Sequence, residues 1–229
     1  MAWRTGLIEH SPQWMRRVFG PTAAYLDMLL MDHGIFRVFY LNKYRLDSDA
    51  WRSAQPAPHQ LRTVKRAGVK TIVNLRGERA CGSYWLEKRQ CEKLGLEFID
   101  FQIRSRAAPT VEEFRRTKEL FERLEYPMLM HCKSGADRAG LMSVLYRHFK
   151  QGWPIAKAKQ ELSFKYGHIR QADTGILDAV FERYLAETHE FPMDFMEWVE
   201  TRYDPEDITQ EFKSSGMANR FVDLVLQRE

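Results

Sequence analysis

Apolar positions along this chain of 229 residues follow two alternating spacings. Trp51-Arg52-Ser53-Ala54-Gln55-Pro56 reads as a strand ended by proline, and Lys70 to Leu75 as a buried strand. Leu96 to Ile103 and the short apolar run Pro127-Met128-Leu129-Met130 add two more. Between them the period changes to that of a helix. Pro58 to Ala67 is closed by Gly68, and Ser83 to Leu94 is followed by Gly95, both glycines standing where a left-handed cap is needed. Thr110-Val111-Glu112-Glu113 is a capping box. It opens a helix to about Glu125 whose stripe is Val111, Phe114, Leu120/Phe121 and Leu124. Leu141 to Lys150, Ile155 to Ser163 and Thr174 to Ala186 continue the helical series. Strands alternating with helices predict an α/β fold, a central mostly parallel sheet flanked by helices, with any site at the carboxyl ends of the strands.

The ends depart from this alternation, so the chain divides into an N-terminal helical extension (residues 1–43), a main domain (44–186) and a C-terminal helical extension (187–229). In the first, Trp14, Met15, Val18 and Phe19 share a helix side with Arg16 and Arg17 nearby. Tyr25, Met28, Leu29 and Ile35 continue an apolar face. Two readings stand: the face packs on the main domain, or it lies on anionic lipid as a peripheral anchor. In the last, Phe191, Phe195, Trp198, Val199 and Tyr203 form an aromatic stripe. Asp204-Pro205-Glu206 restarts a helix, and Phe221, Val222, Leu224 and Val225 mark a final one. A flap packed on the core, a lid and a partner-binding arm all fit that pattern.

Composition narrows the class. Hydrophobic residues are 44% and charged residues 29%, which supports a packed core. Three scattered cysteines make no disulfide framework, and no C-x-x-C or histidine cluster suggests zinc. A reducing, cytoplasmic setting is expected. The stretch Ala23 to Leu41 is broken by Asp27, Asp32, His33 and Arg37, so it is not a transmembrane span. A net charge of +4 suits anionic substrates or surfaces without choosing among protein, lipid and nucleic acid.

The chemistry is concentrated in His131-Cys132-Lys133-Ser134-Gly135-Ala136-Asp137-Arg138-Ala139-Gly140. An apolar strand precedes it and a helix follows. A tight loop there directs backbone N–H groups and the positive end of the helix dipole onto one point, which holds a phosphate dianion. The same field would stabilise a thiolate at Cys132, the nucleophilic form. Arg138 could grip two phosphate oxygens through its planar fork. The alternative is a buried cysteine at a strand end beside a chance arginine.

At these residues the chain resembles the cysteine-dependent phosphatase superfamily, whose signature H-C-x-x-G-x-x-R is met by His131, Cys132, Gly135 and Arg138. Together with Arg52 to Pro56 and Asn74-Leu75-Arg76, the likeness is to atypical dual-specificity phosphatases of bacterial type, over roughly residues 44–186. The resemblance implies phosphomonoester hydrolysis through a phosphocysteine at Cys132. The phosphate would be bound by Lys133, Ser134, Gly135, Ala136, Asp137 and Arg138, and His131 would support the nucleophile. No cofactor is expected, and no metal, because thiolate, amides and arginine already supply nucleophile and charge. In the wider superfamily the general acid sits on a separate loop about thirty residues earlier. Here that region offers Asp100, inside an apolar strand, and then arginines. Asp137 is the better candidate, because the same Asp-Arg ending occurs in myotubularin-like and Sac-like phosphoinositide phosphatases. A bound dianion would favour its protonated form. The alternative is that Asp137 only braces the loop. Ala139 replaces the usual Ser or Thr, so a slower second step is expected.

A lysine also follows the nucleophile in a lipid phosphatase of the superfamily, as Lys133 does here. Arg104 and Arg106, with Arg76 as a neighbour, are expected on the substrate rim. Such a rim suits phosphoinositides or phospholipid head groups, while phosphotyrosine or phosphoserine proteins remain the superfamily's default. A nucleic-acid 5′-triphosphatase fits less well, since interleaved aromatic and basic residues are lacking. A phosphate-binding scaffold without turnover is the non-enzymatic alternative. Cys81 and Cys91 are expected to be ordinary half-buried cysteines, with a reversible bridge to Cys132 as the other possibility.

Overall fold

The computed structural model of the chain describes residues 20–32 and 34–214. The face built on Trp14, Met15, Val18 and Phe19 and the helix at Phe221 to Val225 lie outside the described residues. Those that are described form two compact units: residues 20–103 with 124–139, and residues 104–123 with 140–214. These units do not follow the boundaries at 43 and 186.

The first unit carries one five-stranded sheet. Its strands are β1 (Tyr44–Arg45), β2 (Ala50–Ala54), β3 (Thr71–Asn74), β4 (Glu97–Asp100) and β5 (Met128–Cys132), in the order β1-β2-β5-β3-β4. Only β1 runs antiparallel to its neighbour; β2, β5, β3 and β4 are parallel. A mixed α/β fold with a mostly parallel sheet is therefore the architecture. The central strands β5 and β3 are buried along their whole length, as the near-continuous apolar runs of a sheet covered on both faces require. β4 stops at Asp100 rather than Ile103, although Phe101 N–H still donates to Asn74 O and Ile103 N–H to Leu75 O.

Helices α1 (Gly20–Leu26), α2 (Ile35–Phe39), α3 (Pro58–Arg66) and α4 (Gly82–Leu94) belong to the same unit, with one π turn at Asp27–Met31. Gly95 adopts φ 60° and caps α4, as its place after Leu94 requires. One apolar cluster joins Leu61 and Val64 of α3 to Ile72, Leu129, Cys91 and Leu96. Another joins Ala24 and Met28 to Ala57 and Leu86, so part of the N-terminal segment is built into the core. Gly34 N–H donates to Met28 O at 2.8 Å, and a Cβ there would meet that oxygen at 2.5 Å, so the π turn and α2 meet closely.

In the second unit α5 (Val111–Arg123) opens on the reciprocal capping box, Glu113 N–H to Thr110 Oγ1 and Thr110 N–H to Glu113 Oε2. The predicted stripe packs inward at Phe114, Leu120 and Phe121. The aromatic stripe of the tail is internal too. Phe195, Trp198 and Val199 of the helix Phe195–Thr201 are buried. Phe195 and Tyr203 each meet Phe114 edge-on at 5.4 and 5.6 Å. The helix expected over Ile155 to Ser163 breaks after Ala158 into a 3₁₀ turn, and residues 205–214 are helical.

Candidate active site

The loop after β5 is shaped by what surrounds it. β5 ends at Cys132, which is paired in register with Ala54 of β2, and α6 (Asp137–Gln151) begins five residues later. Gly135 turns the loop at φ 78°, and a Cβ there would stand 2.6 Å from Ala54 N and 2.7 Å from Ser53 C. Both the conformation and the space exclude any other residue. Arg52, fully buried in β2, donates through Nη2 to Gly135 O at 2.9 Å and to Ala136 O at 3.0 Å. A trans peptide sets its N–H opposite its C=O, so the amides of Ala136 and Asp137 point away from Arg52. Asn42, at φ 49°, donates through Nδ2 to Ser134 O at 2.8 Å. Two loop carbonyls are thus held from β2 and a third from the segment just before β1.

Cys132 is 2% exposed at the floor of this loop. Arg138 is the second residue of α6, and its Nε is buried without a hydrogen-bond partner among the described residues. Burial lowers the guanidinium from the ordinary arginine value. Cys132 and, more weakly, Asp137 oppose that shift, and the positive charges of Arg76 and Arg79 reinforce it. Mutually repelling cations beside an unsatisfied buried donor form a field that an anion would relieve. Asp137 starts α6, where the helix dipole is positive.

Beneath the loop runs a buried polar chain. His131 is completely buried, with Nε2 2.7 Å from Glu87 Oε1. Glu87 Oε2 accepts from Gln55 Nε2 at 2.7 Å. Gln55 Oε1 accepts from Arg37 Nη1 at 3.2 Å and from Arg76 Nη1. Both arginines converge on Asp32: Arg76 at 2.9 and 3.0 Å on the two carboxylate oxygens, Arg37 at 2.7 Å. Ser83 Oγ donates to the same carboxylate at 2.7 Å. Burial would raise the Asp32 carboxyl, but the bonds from Arg76 and Ser83 and the charges of Arg76 and Arg37 outweigh it and hold the group below the carboxylate range. Lys133, half exposed, reaches Asp32 Oδ1 at 3.5 Å.

The sequence-predicted residues fall as follows. His131 and Cys132 end β5, Lys133 to Ala136 form the loop, and Asp137 and Arg138 open α6, all within the first unit. Arg76 is buried and clamped on Asp32 by both terminal nitrogens, so its fork does not stand on a rim. Arg104 and Arg106 belong to the second unit, where Arg104 donates to Glu113 at 3.1 Å and Arg106 is exposed. Asp100 is exposed at the end of β4, and both its oxygens are engaged, by Asn74 Nδ2 at 2.7 Å and Tyr84 Oη at 2.6 Å. Burial, with the Asp100 bond, raises the Tyr84 phenol. Ala139 is fully buried. Cys91 is fully buried in the apolar cluster, where burial raises its thiol, and burial likewise raises Cys81.

Six residues of the site were not foreseen: Asp32, Arg37, Asn42, Arg52, Gln55 and Glu87. Arg52 and Gln55 carried a signal, a charge and an amide inside a strand. Asp32 and Arg37 did too, as ionisable residues interrupting an apolar stretch, a pattern that excludes a transmembrane span without revealing that the charges turn inward. Asn42 and Glu87 carried none. Among the described residues no group of three or more His, Cys, Asp or Glu is placed to hold a metal. No helix among them is long and apolar enough to cross a membrane.

Residues 41–176, more than half of the chain, match the family described as DSP-PTPase phosphatase fused to NAD+ kinase. The chain belongs to that family. A dual specificity protein phosphatase, TpbA of Pseudomonas aeruginosa (strain PAO1), is 32% identical over 124 residues, which are 53% of this chain and 53% of TpbA. The chain therefore spans about half the length of the curated relatives it matches. The crystal structure of P. aeruginosa TpbA is 24% identical, with a TM-score of 0.49 over 64% of this chain and 91% of that one. Tk-PTP in its active form is also 24% identical, with a TM-score of 0.49 over 63% of this chain and 98% of that one.

Proposed function

We propose that the chain is a cysteine-dependent phosphatase of the dual-specificity type that hydrolyses phosphomonoesters through a phosphocysteine. The observation that carries this is Arg138 Nε, a buried donor with no described partner, on the loop that begins at Cys132 and is fixed by Arg52 and Asn42. A phosphate seated in the loop would accept from Arg138 and from the amides that point away from Arg52, which stabilise charge on its equatorial oxygens. Cys132 Sγ attacks phosphorus as the ester P–O bond breaks, and the leaving oxygen takes a proton from Asp137. Water then attacks phosphorus and gives a proton to Asp137. The S–P bond breaks, releasing inorganic phosphate and restoring the thiolate. His131 holds the strand end through its contact with Glu87. Lys133 supplies positive charge at the exposed edge of the loop. The reaction needs a reduced cysteine, which a reducing compartment such as the cytoplasm would maintain.

Hydrolysis of p-nitrophenyl phosphate by the purified chain and by Cys132→Ser tests the assignment. The native chain is expected to turn over and the variant to lose at least roughly a thousandfold, since the nucleophile itself is removed. A native chain that binds phosphate without turnover would be a scaffold, and an active Cys132→Ser would overturn the mechanism.

A further inference from the structure

The segment before β1 has its polarity reversed. Between residues 20 and 40 every described charge is turned inward: Asp27 accepts from Gly82 N–H, while Asp32 and Arg37 pair with each other. Met28, Leu29 and Val38 pack on the core, but most of the other large apolar side chains are turned outward. Leu26 is 54% exposed, Leu30 66%, Met31 52%, Phe36 76%, Phe39 85% and Tyr40 65%. The inner sides of these turns are already occupied by Ala24 and Met28 in the core, and by Arg37. Soluble proteins rarely expose so many neighbouring large apolar groups unless the surface binds something.

We propose that this face docks on a bilayer containing anionic phospholipid and thereby presents the phosphate loop to a phosphomonoester carried on a lipid head group. Charge decides the occupant. The exposed positions from 20 to 45 include no acid, and the two exposed charges, Lys43 and Arg45, are cations. The sequence immediately upstream repeats that composition, with Arg16 and Arg17 beside Trp14, Met15, Val18 and Phe19. A protein interface of ordinary kind carries about one hydrogen bond per 100–200 Å². The exposed side chains of residues 20–40 offer for this only Thr22 and the tyrosine hydroxyls. Aromatic rings beside cations match the headgroup region of a membrane instead. The same segment touches the loop twice, through Asn42 to Ser134 O and through Asp32 to Lys133. A phosphate at membrane depth would be met by the loop's own edge.

The substrate half of this inference rests on the phosphatase reading; the docking half is measured without turnover. The full chain, Phe36→Ser/Phe39→Ser and Lys43→Gln would be sedimented with vesicles of phosphatidylcholine alone and of phosphatidylcholine with phosphatidylglycerol. The native chain is expected to pellet with the mixed vesicles. The double variant should partition at least roughly ten times more weakly, from lost apolar burial, and Lys43→Gln about five times more weakly, from one lost charge. All three should hydrolyse soluble p-nitrophenyl phosphate alike. Hydrolysis of phosphatidylinositol 4-phosphate in mixed vesicles should fall in step with binding. A native chain that stays in solution, or a double variant that pellets equally, overturns the docking face. Pelleting that is sensitive to the double substitution, without hydrolysis of either phosphate, supports the docking and overturns the phosphatase reading.

Discussion

At the scale of single residues the site turns on two neighbours in the loop, Asp137 and Arg138, and on the choice between two aspartates. Asp100 is bound through both oxygens by Asn74 and Tyr84 and serves as a strand-end brace. Asp137 opens α6 on the phosphate loop, where a bound dianion would favour its protonated form, and is the proposed proton donor. Asp137→Asn should therefore depend on the leaving group. With an alkyl phosphate, whose departing oxygen needs a proton, kcat/KM should fall roughly 100-fold or more, the usual worth of a placed general acid. With p-nitrophenyl phosphate the loss should be less than about tenfold, because that phenolate leaves unaided. Equal losses on both substrates would leave Asp137 as a loop brace. Cys132, Gly135 and Arg138 were legible in the sequence because their spacing is itself the chemistry. Arg76 is buried on Asp32 and not on the expected rim, because sequence spacing says nothing of which carboxylate a guanidinium will find. Its partner lies 44 positions earlier.

At the scale of elements, the loop is held by parts far apart in sequence. Arg52 reaches 83 and 84 positions forward to Gly135 O and Ala136 O, and Asn42 reaches 92 positions forward to Ser134 O. The strands and helices around the loop could be read from period and caps, because those signals are local. The capping box at Thr110 and the cap at Gly95 form as the residue types demand. The bracing bonds could not be read, since they depend on register: β2 must pair with β5 so that Ala54 faces Cys132 before Arg52 can meet the loop. Removing the brace is expected to loosen geometry rather than remove chemistry. Arg52→Met keeps much of the buried volume and withdraws both donors. It should lower kcat by about ten- to a hundredfold, the cost of misplacing a prepaid anion site. KM should change less, and inorganic phosphate should inhibit more weakly. A variant with native kcat and native phosphate inhibition would show that the loop holds its shape alone.

At the scale of the whole molecule, one buried carboxylate links distant stretches of chain to the site and ties stability to pH. Asp32 gathers Arg37, Arg76 and Ser83 around itself and lies beside Lys133. These bonds depress its folded carboxyl below the ordinary value of about 3.9 found in an unfolded chain. As pH falls, the unfolded chain takes up this proton first. The stabilisation from Asp32 is therefore complete above about pH 4 and drains away below it, as pH drops towards the depressed value. Asp32→Asn leaves two buried guanidinium groups without their counter-charge and should destabilise the fold by roughly 3–5 kcal/mol near neutral pH. Urea unfolding of both proteins at about pH 7 and about pH 3 separates charge from packing. If ionic pairing is what Asp32 contributes, the gap between them is wide at the higher pH and narrows at the lower one. A gap of constant width would mean that shape and neutral hydrogen bonds hold this junction, and that Asp32 does not couple the N-terminal segment to the phosphate loop through charge.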